Sequence, residues 1–143
     1  MANRNPPSKG FVLDPKLDED TIEINRLHFC RVLLMNDSNY PWLILVPQIQ
    51  NIRELHELPP KYLSEVISEI VSISKEMQEL FKPDKINVAA LGNQVSQLHI
   101  HIIARFKNDI AWPFPVWGVN PIKKYNDEEL KKLTLVLQAK LFS

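Results

Sequence analysis

The pattern of apolar and polar positions divides the chain into short strands and two helices. Two apolar runs, residues 29–35 and Trp42–Pro47, flank the turn-forming sequence NDSNYP, and we predict that they form a β-hairpin. A third apolar run covers residues 86–91, and a fourth covers residues 97–106. The loop between these last two runs, GNQVS, is too short for a parallel crossover, so we predict an antiparallel pair.

The longer predicted helix covers residues 61–81, where apolar side chains recur at the i, i+3 and i+4 positions of one face. Its apolar face consists of Leu63, Val66, Ile67, Ile70, Met77 and Leu80, and Glu65, Glu69, Lys75 and Glu76 are left for water. A second helix starts with Asn126 and Glu129 in a capping-box pattern and ends near Leu141. Residues 13–24 are acidic and rich in turn formers, and we predict an extended lead-in there.

This order of elements predicts an α+β fold, in which an antiparallel sheet is backed by one long central helix and a C-terminal helix. The length of 143 residues suits a single domain over residues 1–143. Residues 1–10 contain two prolines, a serine and a glycine, and we predict a flexible N-terminus.

Composition and charge narrow the function classes. Apolar residues make up 45% of the chain and charged residues 24%, which is typical of a soluble globular protein. The formal net charge is zero, so electrostatics gives no support for binding a nucleic-acid polymer. The longest apolar run, WLILV, is far shorter than the ~18–20 residues of a membrane span. The N-terminus is polar and lacks the apolar segment of a signal peptide, so we expect a cytoplasmic protein.

The chain has one cysteine, Cys30, and therefore no internal disulfide. Cys30 lies in the apolar sequence HFCRVLLM, which favours a buried packing role over a catalytic one.

The fourth strand carries a pair of histidines in the sequence SQLHIHIIARF. Positions two apart on a strand face the same side, so His99 and His101 should lie about 6–7 Å apart at Cα. One face of this strand is apolar and should pack on the long helix; it consists of Leu98, Ile100, Ile102 and Ala104. The other face presents the amide of Gln97, the two imidazoles and Arg105, whose guanidinium near the strand end could reach an anion.

Three roles are open for this pair. The histidines can be structural, or they can bind a metal, which requires a third and often a fourth ligand. His28 and His56 lie in stretches that favour surface or packing roles, and neither a Cys-x-x-Cys nor a His-Glu-x-x-His pattern occurs. Alternatively, one neutral imidazole is a nucleophile or a general base and the other is its partner.

The sequence QLHIHII resembles the signature of the histidine-triad nucleotide-binding superfamily, His-φ-His-φ-His-φ-φ with φ apolar. His99 and His101 match the second and third histidines, and Gln97 replaces the first. The loop GNQVS resembles the Gly-Gln-Ser/Thr loop of that family, and LLMNDSNYPWLILVP resembles its first hairpin. The resemblance covers residues 27–117, and the chain looks similar to the fragile-histidine-triad, or diadenosine-polyphosphate-hydrolase, branch.

This resemblance implies hydrolysis or transfer of nucleotidyl groups at the α-phosphate of dinucleoside polyphosphates and nucleoside phosphoramidates. His99 matches the nucleophile that forms a nucleotidyl-histidine intermediate, and His101 matches a phosphate contact. Residues implied in substrate binding are Asn36 or Asp37 at the ribose, Asn87 beside the site, and Gly92, Asn93 and Gln94 at the phosphate or leaving group.

The resemblance also implies a homodimer that acts on a nucleotide substrate. We expect no metal site and no tightly bound cofactor, although Mg²⁺ could accompany the substrate phosphates. Glutamine forms hydrogen bonds but carries no proton charge, so we expect Gln97 to act as a neutral brace beside His99 or the preceding loop. A nucleotide-binding regulatory protein with little activity is the alternative, and a His-x-His metalloprotein is a weaker one. For the aromatic segment of residues 111–118, packing and coverage of the nucleotide both stay open.

Overall fold

The computed structural model describes residues 10–141 of the chain. The elements in chain order are α1 (Pro15–Asp20), β1 (Thr21–Arg26), β2 (Cys30–Met35), β3 (Trp42–Pro47), a 3₁₀ turn (Leu55–Glu57), α2 (Pro60–Phe81), β4 (Lys85–Ala89), β5 (Ile100–Arg105) and α3 (Asp127–Leu141). Except for Gly10, the predicted flexible terminus lies outside the described residues.

The strands form one five-stranded antiparallel sheet in the order β1-β2-β3-β5-β4. The predicted hairpin of β2 and β3 is confirmed, with Cys30 opposite Pro47. The predicted antiparallel pairing of β4 and β5 is also confirmed. β5 lies between β3 and β4, so the histidine strand is an interior strand of the sheet.

The predicted start of the histidine strand is wrong by three residues, because β5 begins at Ile100. The backbone N–H of Leu98 instead donates to the carbonyl of Ile52, in the loop before α2. Gln97 and His99 therefore lie in the loop that leads into β5.

The predicted extended lead-in at residues 13–24 is wrong for Pro15–Asp20, which form α1, whereas residues 21–24 are extended as part of β1. The Asp14 carboxylate accepts a hydrogen bond from the backbone N–H of Lys16 at 2.8 Å, and Pro15 occupies the first helical position. Both features are ordinary signals of a helix start.

One face of the sheet packs against α2 and α3, as the apolar pattern predicted. The buried residues of this layer include Leu98, Ile100, Ile102 and Ala104 from the histidine strand and Val66, Ile70, Ile73 and Met77 from α2. The capping box of α3 is confirmed, because Asn126 Oδ1 accepts from the backbone N–H of Glu129 at 2.8 Å. No helix of the described residues is long and apolar enough to cross a membrane.

Glu69 of α2 does not face water as predicted. Its carboxylate accepts hydrogen bonds from the backbone N–H groups of Phe29 and Cys30, the latter at 2.8 Å, and so fastens α2 to the start of β2. Burial raises the pKa of the Glu69 carboxyl. Cys30 itself is fully buried, and burial raises the pKa of its thiol well above the ordinary value, which agrees with a packing role.

The opposite face of the sheet carries a second apolar cluster, which contains Phe11, Leu17, Leu33, Tyr40, Trp42, Ile44, Val46, Ile103, Ala111 and Val116. These residues come from the N-terminal segment and α1, from β2, β3 and the turn between them, from β5, and from the loop after β5. His99 and His101 both face this side of the sheet.

Candidate active site

A cavity of about 480 Å³ lies on this second face, and both histidines line it. Its other walls come from α1, from the loop between β4 and β5, and from the irregular segment before α3. The lining includes Lys16, Leu17, Asp20, Asp37, Trp42, Ile44, Gly92, Asn93, Gln94, Val95, Val116 and Trp117. The structure thus brings the histidines together with Asp37, Gly92, Asn93 and Gln94.

His99 is buried, with 5% of its surface exposed, and its ring has a defined tautomer. Nδ1 lies 2.7 Å from the backbone carbonyl oxygen of Gln97. Because a carbonyl only accepts, Nδ1 carries the proton and Nε2 keeps the lone pair. Burial lowers the pKa of His99 below its ordinary value, against opposing effects of the Gln97 carbonyl and the Asp14 carboxylate. The ring is therefore a neutral imidazole near pH 7, with a nucleophilic nitrogen.

His101 is equally buried, but both of its ring nitrogens have partners. The indole Nε1–H of Trp42 donates to Nδ1 at 3.0 Å, and Nε2 donates to the carbonyl oxygen of Leu91 at 3.0 Å. Burial, together with the neighbouring His99, lowers the pKa of His101 to about 4. The two imidazole rings lie 4.9 Å apart at an angle of 70°. A phosphate contact by His101, as the resemblance implied, would require it to exchange one of these two hydrogen bonds.

The loop after β4 approaches His99 closely because Gly92 has no side chain. A Cβ atom at this position would lie 2.5 Å from the carbonyl oxygen of Val95 and 3.1 Å from Cε1 of His99. Any side chain would therefore push the loop away from the imidazole. Gly92 lets Asn93 and Gln94 line the cavity beside His99.

Two tryptophans form the aromatic wall of the cavity: Trp117, from the aromatic segment for which coverage of the nucleotide stayed open, and Trp42, which the sequence did not single out. The Trp117 ring stands perpendicular to Trp42 at 5.8 Å, and it lies 4.9 Å from the His101 ring. The sequence does not mark Trp42 as a site residue, because a tryptophan at the start of an apolar strand is expected to pack in the core. For the segment of residues 111–118, the position of Trp117 favours a cavity wall, whereas Ala111 packs in the core.

Asn36 and Asp37 occupy different environments. Asn36 Oδ1 accepts from the backbone N–H of Tyr125, so this side chain fastens the segment that leads into α3. Asp37 is buried, lines the cavity, and accepts from the backbone N–H of Asn39 at 3.0 Å. Of the two, Asp37 is the residue in a position to meet a ligand.

The structure places Arg105 and Asn87 in a network outside the cavity lining. Arg105 is 2% exposed, and its guanidinium donates to both carboxylate oxygens of Asp109, at 2.8 and 3.0 Å. Its third donor contact is to Oδ1 of Asn87 at 3.0 Å. The Arg105 guanidinium, which was predicted to reach an anion, is already paired with the carboxylate of Asp109. Asn87, which was predicted to lie beside the site, instead binds this guanidinium.

The side chain of Gln97 does not brace His99 as expected. Its Oε1 accepts from the backbone N–H of Asp14 at 2.9 Å, and its Nε2 donates to the carbonyl of Val12 at 3.0 Å. The brace on His99 comes instead from the Gln97 backbone carbonyl. This bond needs no particular side chain, so a motif could not reveal it.

A second groove, of about 620 Å³, meets the first cavity at His99, Gly92 and Asn93. Its remaining lining is mostly polar and consists of Arg53, Glu54, His56, Glu57, Ala90, Ser96, Gln97 and Leu98. His99 therefore lies where an apolar, aromatic cavity adjoins a polar groove.

The described residues contain no group of three or more His, Cys, Asp and Glu side chains placed to hold a metal ion. The histidine pair is also poorly suited to bind a metal, because the lone pair of His101 Nδ1 already accepts a hydrogen bond from Trp42.

Comparisons with known proteins agree with this geometry. The sequence profile of the HIT domain matches residues 16–108. A histidine triad protein from Marinobacter aquaeolei is 46% identical, with a TM-score of 0.89 over 92% of this chain and 96% of that one. One from Bradyrhizobium japonicum is 42% identical, with a TM-score of 0.89 over 92% and 98% of the two chains. One from Sinorhizobium meliloti is 39% identical, with a TM-score of 0.88 over 92% and 97%. No curated protein matches the sequence. With its fold, its histidine pair and these relatives in agreement, the chain belongs to the histidine triad (HIT) family.

Proposed function

We propose that this protein is a nucleotide hydrolase that acts at the α-phosphate of dinucleoside polyphosphates or related nucleotide conjugates through a nucleotidyl-His99 intermediate. The observation that carries the proposal is the 2.7 Å contact between Nδ1 of His99 and the Gln97 carbonyl oxygen. The Nδ1–H of His99 is committed to the Gln97 carbonyl, which leaves the Nε2 lone pair on a neutral ring that lines the cavity.

The reaction proceeds in two displacements. Nε2 of His99 attacks the α-phosphorus and forms a P–N bond, while the bond from phosphorus to the leaving group breaks and its electron pair departs with the leaving group, which then takes up a proton. Water then attacks the same phosphorus, the P–N bond breaks, and a nucleoside monophosphate and a proton are released. Positioning and charge stabilisation limit such a transfer more than strong acid–base chemistry does.

The division of the site into two parts supports this assignment. The aromatic wall of Trp42 and Trp117 suits a nucleobase, and the buried carboxylate of Asp37 suits a ribose hydroxyl. A phosphate at His99 would place its leaving group in the polar groove, where Arg53 and His56 offer donors to further phosphates.

Donors to the developing negative charge come from the loop beside His99. The backbone N–H groups of residues 92–95 and the Asn93 amide are neutral donors of the kind that phosphoryl transfer uses. We also propose that the protein forms a homodimer and is located in the cytoplasm, and that Mg²⁺ accompanies the substrate phosphates.

Incubation with a panel of dinucleoside polyphosphates, nucleoside phosphoramidates and aminoacyl adenylates, followed by chromatography, tests the proposal. Cleavage should release a nucleoside monophosphate, and acid-free mass spectrometry of the rapidly quenched protein should detect one nucleotidyl group on His99. Binding of AMP without cleavage of any compound would favour the regulatory alternative. Cleavage without a nucleotidyl adduct, at equal rate in His99→Ala, would exclude the mechanism.

A further inference from the structure

The side chain of Gln97 pairs with the backbone of the N-terminal segment as a neighbouring strand would. Its amide accepts from the N–H of Asp14 at 2.9 Å and donates to the carbonyl of Val12 at 3.0 Å. On the same segment, the N–H of Val12 donates to Oε1 of Gln50 at 3.0 Å. We call these three hydrogen bonds, from Gln50 and Gln97 to the backbone of Val12 and Asp14, the N-terminal clamp.

The segment that the clamp fixes is one wall of the nucleotide cavity. α1 begins immediately after Asp14, and Lys16, Leu17 and Asp20 of this helix line the cavity. Phe11, just before the clamp, and Leu17, just after it, are buried in the same apolar cluster as Trp42.

The two ends of this wall are attached differently. An α-helix of six residues is too short to persist in water without tertiary support. Outside the clamp, the N-terminal part of residues 11–20 is held by the buried side chain of Phe11 and by a 3.3 Å hydrogen bond from Arg31 to the Phe11 carbonyl. The C-terminal part is held by the buried side chain of Leu17, by a 3.1 Å hydrogen bond from the backbone N–H of Asn36 to the Asp20 carbonyl, and by the direct continuation of α1 into β1. The clamp therefore holds the N-terminal end of α1 at the cavity, whereas Asn36 and β1 hold its C-terminal end.

We propose that Gln97 is a positioning residue that holds the start of α1 against the nucleotide cavity. The residue at the first triad position of this chain therefore binds the chain's own N-terminal segment. The identity of the ligand rests on the proposed function, whereas the clamp itself does not. Gln97 thereby connects two parts of the site, because its carbonyl orients the nucleophile and its amide orients the wall.

The chemistry of the clamp requires an amide. A carboxamide presents an acceptor and a donor on neighbouring atoms at one end, which matches the backbone groups on either side of residue 13. The donor and acceptor nitrogens of a neutral imidazole point in diverging directions, so a histidine would make only one of the two bonds. Gln97→His should therefore loosen the wall even though it restores the residue common in the family.

Amide hydrogen exchange on the protein without nucleotide tests the clamp directly. The reporter is the N–H of Asp18, which bonds the Asp14 carbonyl within α1 and does not touch Gln97. Its exchange should become roughly tenfold faster in Gln97→Met and in Gln97→His, as expected for the loss of one or two hydrogen bonds. Gln138→Met is the matched control, because it also removes one bond from a glutamine to a backbone carbonyl, that of Ile24. Unchanged Asp18 exchange in both Gln97 variants would overturn the clamp.

Calorimetric titration with AMP and steady-state kinetics then test what the clamp does for the site. In Gln97→Met, Kd for AMP and KM should rise about tenfold, while kcat stays within about threefold, because the nucleophile keeps its carbonyl brace. A fall in kcat at unchanged KM would overturn the positioning role of the wall. Failure of the native protein to bind AMP would instead refute the proposed function, and Asp18 exchange would still decide on the clamp.

Discussion

At the scale of single residues, His99 carries the proposed chemistry because its Nε2 is the attacking atom. We expect His99→Ala to lower kcat at least a thousandfold, which corresponds to about 4 kcal/mol in the barrier. Kd for AMP should stay within about threefold, since the tryptophans and Asp37 remain. His28→Ala is the control, because His28 packs on the Phe29 ring and lines neither cavity. Turnover of His99→Ala near the native rate would refute the assignment.

His101 should make the fold sensitive to mild acid. In the unfolded chain this imidazole has a pKa near 6.5, whereas in the fold burial lowers the pKa to about 4. Between these pH values the unfolded state binds a proton that the folded state does not, so acid favours unfolding. The free energy of unfolding should fall by roughly 3 kcal/mol from pH 6.5 to pH 4 through this group, and no further below.

Urea denaturation at several pH values measures this effect, with His101→Asn as the comparison. The variant lacks the titrating ring, so its stability should depend less on pH over that interval, whatever its absolute stability. Parallel pH profiles for the two proteins would contradict a neutral His101.

Most of the predicted site residues that line the cavity come from one local motif, and Asp37 is the exception. His99, His101, Gly92, Asn93 and Gln94 all line the cavity, and all lie within ten positions of one another. The contacts that decide the roles of the others join distant positions. Gln97 is 83 residues from Asp14, and Trp42 is 59 residues from His101, so neither pairing leaves a local pattern.

At the scale of elements, the same distinction explains which parts of the fold could be predicted. The hairpin, α2 and α3 have strong periodicity or turn chemistry of their own, and the structure contains all three. α1 has a cap but only one buried side chain, Leu17, so its stability depends on the sheet face beneath it. β1 is an edge strand with only Ile24 buried, and its apolar alternation is correspondingly weak.

The loop after β5 depends on one buried ion pair. Asp109 accepts from Nε and Nη2 of the Arg105 guanidinium and from the backbone N–H groups of Phe106, Ala111 and Trp112. Asp109→Ala leaves the charge of Arg105 buried without its counter-ion, which typically costs about 3–5 kcal/mol. We expect a loss of that size in urea denaturation, together with weaker AMP binding, because Trp117 follows on the same loop.

Asp127→Ala is the matched control for this prediction. Asp127 is an exposed aspartate in the first turn of α3, where its removal should cost less than about 1 kcal/mol. Equal stability of the Asp109 and Asp127 variants would show that the ion pair does not hold the loop.

At the scale of the whole molecule, the two faces of the sheet have separate tasks. The face under α2 and α3 holds the larger apolar cluster and none of the cavity residues. The opposite face holds the smaller cluster, and the cavity is built on it from three loops, from α1 and from strands β3 and β5. Substitutions on the α2 face should therefore change stability or assembly before they change catalysis.

The division between the two sheet faces also bears on the proposed homodimer. β4 is an edge strand, and its Val88 is 51% exposed. Val88 lies on the sheet face that carries α2, because it is paired with Ile102, which is buried on that face. We expect light scattering at micromolar concentration to give twice the chain mass of 16.6 kDa. Val88→Lys should shift the mass towards the monomer, since a charge on an exposed edge strand opposes pairing with a second strand.

Leu135→Lys is the control for that experiment, because Leu135 is similarly exposed, at 58%, but lies on α3, which contacts β1 at the other edge of the sheet. A native mass near 16.6 kDa would refute the dimer. A dimer that Leu135→Lys dissociates and Val88→Lys does not would place the interface on α3. Because His99 and its cavity lie on the opposite sheet face, a monomeric Val88→Lys protein should still bind AMP with nearly native affinity.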